Sequence, residues 1–136
     1  MPLIEQVLEK NPQTVKVVFK NMPLRNHKMA EPSARAALAA NEQGKFWEYH
    51  DKLFAQKKLS KGSLTQIAKE LNLDIAKFER DMKSPEIRGK LQKDLIDAQK
   101  AGVSGTPTIF INGRVPKQRS LEGFQVMIDE ELVKKG

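Results

Sequence analysis

Apolar positions along this chain recur mostly with helical spacing. Leu3, Ile4, Val7 and Leu8 share one face, and Asn11-Pro12 predicts the stop of that first helix. The period then changes. Thr14 to Lys20 reads Thr-Val-Lys-Val-Val-Phe-Lys, which predicts a buried strand, and Asn21-Met22-Pro23-Leu24 predicts a turn. Ala34 to Ala40 predicts an alanine-rich helix with a close-packing face. Pro32 before it is either an early-turn residue or a kink. Gly44 breaks the pattern, after which Phe46, Tyr49, His50, Leu53 and Phe54 repeat as an amphipathic helix.

Cap signals divide the chain beyond Phe54. Ser63 to Gln66 has capping-box form, ahead of Leu64, Ile67, Ala68 and Leu71. Asp74 caps a short helix carrying Ile75, Phe78 and Met82. Ser84-Pro85-Glu86 sets a cap, a proline and an acid at the start of a helix carrying Ile87, Leu91, Leu95 and Ala98, which Gly102 ends. Thr108 to Ile111 predicts a strand, Asn112-Gly113 a type I′ turn, and Arg114 to Lys117 a return strand that Pro116 places at an edge. Leu121, Phe124, Ile128 and Leu132 make the last helix. The predicted order is helix, strand, helical block, strand, hairpin, strand, helix, an α/β layer arrangement in one domain.

Composition removes several kinds of chemistry. With 30% charged and 39% hydrophobic residues, the chain suits a packed core and is too apolar for disorder. It has no cysteine, which excludes disulfides, thiolate metal sites and a cysteine nucleophile. The thioethers of Met1, Met22, Met29, Met82 and Met127 do not exchange with disulfides. No apolar run approaches a membrane span, and the N-terminus shows no secretory signal. His27 and His50 lack zinc spacing, so no metal is expected. His27 is expected to make a structural hydrogen bond or serve a helix start, and His50 to sit partly buried on an apolar face. Phe46 and Trp47 read as core or near-core, and Glu48 and Asp51 as a solvated face without a nucleophile to serve. The net charge of +7 reads as dispersed surface lysines. The basic stretches 57–61 and 114–119 lack interleaved aromatics, so nucleic acid is not expected as a partner.

The most informative stretch is Gly102-Val103-Ser104-Gly105-Thr106-Pro107-Thr108-Ile109-Phe110-Ile111-Asn112-Gly113. Proline cannot donate to a ladder, so Pro107 begins or breaks a strand. On spacing alone an ordinary trans bond is the expectation. The stretch resembles the cis-proline loop and hairpin of DsbA-like thioredoxin-fold proteins. Val17 to Leu24 with His27 resembles the strand and turn after that family's active-site helix. Ala36 to Ala40 and Gly44 to Phe54 resemble its helical insertion.

The resemblance implies a thioredoxin-like α/β fold over 1–136 with a helical insertion at 27–101, N-terminally truncated. The family's first strand and Cys-x-x-Cys would precede Met1. It further implies a thiol–disulfide oxidoreductase class, with an extended substrate polypeptide held beside Ser104, Gly105, Thr106 and Pro107 and no cofactor. The implied setting is periplasmic or extracytoplasmic, although the chain as written would stay in the cytoplasm. No residue here is catalytic. Two origins are open: a piece of a longer exported enzyme, or a short protein that has lost catalysis. Taking a central strand from such a sheet leaves 14–20 and 108–111 as open inner edges. The expectation is that they pair directly, dimerise, or bind an extended peptide.

Overall fold

The computed structural model describes residues 2–24 and 27–135; Met1, one of the five methionines, lies outside them. Seven helices form among the described residues: α1 (Pro2–Lys10), α2 (Ala30–Asn41), α3 (Phe46–Ala55), α4 (Lys61–Glu70), α5 (Ile75–Met82), α6 (Pro85–Lys100) and α7 (Leu121–Lys135). The chain divides into two compact units, one made of Met1–Phe19 with Gly105–Gly136 and the other of Lys20–Ser104. The helical block expected over 27–101 falls within the second.

The helical unit is organised on α2, which contacts α3, α4, α5 and α6. Alanine makes this possible, because a helix without bulky side chains admits neighbours closely on several faces. Ala36, Ala37, Ala39 and Ala40 pack with Tyr49, Leu64, Ile67 and Phe78, while Ala34 and Leu38 meet Ile87 and Leu91 of α6. Pro32 sits in the first turn of α2, where its missing N–H has no intrahelical partner to lose. Asp74 and Ser84 cap α5 and α6 through the Lys77 and Ile87 amides at 3.0 and 3.2 Å. The α4 cap differs from expectation. Ser60, not Ser63, is the cap, and it accepts the Ser63 amide at 3.2 Å, so the helix begins nearly a turn earlier. Asn21 donates its amide to Asp94 of α6, and Lys20 reaches Asp97 at 2.6 Å. That contact raises the Lys20 pKa and lowers that of Asp97.

The other unit packs α1 against α7 around Val7, Phe124 and Ile128, with Leu3, Ile4, Val15, Ile109, Ile111 and Leu121 at the margin. Asn11 and Gln125 exchange reciprocal amide hydrogen bonds of 2.8 and 3.0 Å.

The predicted strands are the main correction. Among the described residues no strand forms. The described residues form an isolated bridge between Ile111 and Arg114, closed by hydrogen bonds of 2.8 and 3.0 Å. Asn112 and Gly113 both have positive φ, 48° and 83°, as a type I′ turn requires. Residues 15–20 and 107–110 carry no regular secondary structure, and no ladder bond joins 15–18 to 107–111. Direct pairing of 15–18 with 107–111 is therefore absent among the described residues. Burial still alternates: Val15, Val17 and Phe19 are half-buried, and Lys16, Val18 and Lys20 exposed. The side chains thus keep a strand's period. A strand also needs ladder bonds to a neighbouring backbone about 4.8 Å away, and residues 15–18 make none among the described residues.

Candidate functional site: the Gly105–Thr108 loop

His50 is buried on α3, its ring 4.5 Å from that of Phe54 and 5.4 Å from that of Trp47. Its Nδ1 lies 3.4 Å from the Asp51 carboxylate. Glu48 pairs instead with Lys45. Phe54, expected on the apolar face, is 67% exposed, because one side of its ring meets His50 and the rest meets solvent. His27 is exposed, and its backbone carbonyl accepts the Ala30 amide at the start of α2. Among the described residues no group of three or more metal-ligating side chains assembles, and no helix is long and apolar enough to cross a membrane.

The loop expected to hold polypeptide is distinctive. Ser104 is the last residue of the helical unit and is exposed; Gly105, Thr106 and Pro107 lie in the other unit. The Thr106–Pro107 peptide bond is cis. Thr106, Pro107 and Thr108 are all exposed, while Ile109 anchors the following segment in the α1–α7 core. Two hydrogen bonds set the loop's backbone. The Thr108 hydroxyl donates to the Gly105 carbonyl at 2.6 Å, and Arg119 Nη2 donates to the Pro107 carbonyl at 2.8 Å. Proline has no N–H of its own. Thr106 is left with both backbone groups unbonded among the described contacts.

Arg119 is the residue that sequence reasoning missed, since it read there only as part of a basic stretch. Its base is firm. Ser120 caps α7 by accepting the Gly123 amide at 3.0 Å, and a Cβ on Gly123 would lie 2.7 Å from the Gln118 carbonyl oxygen. The chain at 118–120 therefore presses on the first turn of α7, where only glycine fits. A helical glycine three residues after a serine cap was the available signal.

Comparisons with known proteins give this geometry a family. The thioredoxin family model matches residues 2–130. The Na(+)/H(+) antiporter NhaA 3 of Salinispora tropica is 41% identical over 103 residues, covering 74% of this chain and 16% of its own length. The probable disulfide bond formation protein D of Bacillus cereus is 30% identical over 142 residues, covering 97% of this chain and 64% of its own length. The chain thus spans under two thirds of both relatives. Among solved structures, a thioredoxin-like oxidoreductase from Silicibacter pomeroyi superposes with a TM-score of 0.85 at 28% identity, covering all of this chain and 78% of its own. The thiol-disulfide exchange protein α-DsbA2 of Wolbachia pipientis gives 0.80 at 22% identity, covering 95% of this chain and 71% of its own, a likeness of fold. The chain belongs to the thioredoxin family, as a DsbA-like thioredoxin-fold protein without cysteine.

Proposed function

We propose that this chain is the polypeptide-holding portion of a DsbA-like thiol–disulfide oxidoreductase, acting in an extracytoplasmic compartment. It cannot exchange disulfides by itself. Exchange requires a thiolate to attack sulfur, and the sequence contains no cysteine. The thiols must come from polypeptide outside these residues. The observation that carries the reading is the state of Thr106. Its N–H and C=O are both unbonded on an exposed loop, while the neighbouring Gly105 and Pro107 carbonyls are occupied. An antiparallel strand pairs by exchanging both bonds with one residue, and Thr106 offers that pair. Gly105 and Pro107 shape the loop through their bonded carbonyls.

A second reading is favoured by the unladdered segments 15–18 and 107–110. A catalytically silent module would use them to add a strand from a peptide or a second copy. The intact mass and thiol count of the protein captured from cells that express it separate the two. A mass several kilodaltons above 15.4 kDa with two alkylatable thiols supports the oxidoreductase. A mass matching this chain, with no thiol, overturns it in favour of the module.

A further inference from the structure

Arg119 has more to offer than the single bond it makes. A guanidinium carries several N–H donors in a rigid fork, and in the described contacts one of them is spent on the Pro107 carbonyl. The side chain is exposed, and its backbone is fixed between the Gln118–Gly123 contact and the Ser120 cap. It forms no ion pair among the described residues, and neither does Lys117 two positions before it. The third cation of the stretch, Arg114, pairs with Glu130 and Glu131.

Beside these free cations lies an open groove. Its lining joins the aliphatic Val115, Val126 and Met127 to Lys117 and to the ion-paired Arg114 and Glu130, and Val115 and Val126 are 64% and 57% exposed. Gln118, the neighbour of Arg119 in sequence, lines the groove, and the Arg119 guanidinium bonds the Pro107 carbonyl of the loop that carries Thr106. Backbone groups able to pair, uncompensated positive charge and exposed aliphatic surface thus adjoin within one compact unit.

The geometry points to Arg119 as the specificity-determining residue of the loop, selecting an extended acidic polypeptide with alternating aliphatic residues. This rests on the reading of the loop as a polypeptide-holding site. In the bound state Arg119 keeps the Pro107 carbonyl in place and directs its remaining donors to a carboxylate of the partner. Lys117 adds a second positive charge. An Arg–carboxylate contact is directional as well as charged, so it fixes register along with preference.

The test uses the full chain at low ionic strength and two short fluorescein-labelled, amidated peptides. Both alternate valine and threonine; one carries glutamate and the other lysine at two threonine positions. The glutamate peptide is expected to bind about tenfold tighter. Arg119→Ala should bring the two affinities together with the far-UV circular dichroism unchanged, and Arg119→Lys should retain part of the preference. A merely structural arginine would weaken both peptides equally and leave their ratio intact, which would overturn the assignment. Equal binding of both peptides by the unaltered chain would also overturn it while leaving the polypeptide-holding reading standing. Binding of neither would overturn both.

Discussion

Tyr49 is the single tyrosine of the chain, fully buried, with its hydroxyl donating to the Leu64 carbonyl at 2.8 Å. Burial raises its pKa well above the ordinary phenol value. The folded pKa exceeds the unfolded one, so this stabilisation is complete below pH ~10 and is lost as pH rises through the folded value. Alkaline titration followed at the tyrosinate absorbance should therefore show one late step that coincides with loss of helix signal. A step near the free-phenol pKa with the helices intact would show that Tyr49 is not buried. At Gly123 the expected sign is unusual. An exposed helical Gly→Ala change gains about 1 kcal/mol, but a Cβ here meets the Gln118 carbonyl oxygen at 2.7 Å. Gly123→Ala should instead destabilise by about 1–3 kcal/mol in urea unfolding, and a gain would refute the close approach. Asp74 and Ser84 were legible as caps because cap chemistry acts within three residues. Arg119 and Gly123 were not, because their partners are set by how 118–120 meets α7 and by a carbonyl twelve residues away.

The helices follow from a period that is local, and the sequence carries it plainly from α1 to α7. Their boundaries are less legible. Ser63-x-x-Gln66 has capping-box form, yet α4 starts from Ser60 because the Ser63 amide already has the Ser60 hydroxyl to bind. Ser60→Ala should cost about 1 kcal/mol and fray the first turn of α4 by amide exchange. An equal or larger loss from Ser63→Ala would return the cap to Ser63. The strand expectations failed for a different reason. Val15, Val17 and Phe19 show the two-residue burial period that marked 14–20, so the side-chain part of the reading stands. The missing part is the ladder, which depends on a neighbouring segment and is written in no short stretch. The Asn112-Gly113 turn was legible because two positive φ values are a local demand that these residues meet.

At the scale of the whole molecule, two units with separate cores share one continuous chain. The helical unit is the larger part and assembles no group of three or more metal-ligating side chains among its described residues. The α1–α7 unit is smaller and presents the exposed loop, the free Thr106 backbone and the Arg119 guanidinium. The family was legible in the order of several motifs. The disposition of the loop's hydrogen bonds was not, because it depends on residues brought together by packing. The central claim is that Thr106 holds an extended partner through its backbone. The most direct measurement is the exchange rate of the Thr106 amide by NMR, with and without the valine–threonine peptide carrying glutamate. Marked slowing at Thr106 on addition, abolished when the facing peptide amide is N-methylated, is the predicted result. A Thr106 amide that exchanges equally fast with saturating peptide bound would contradict the claim.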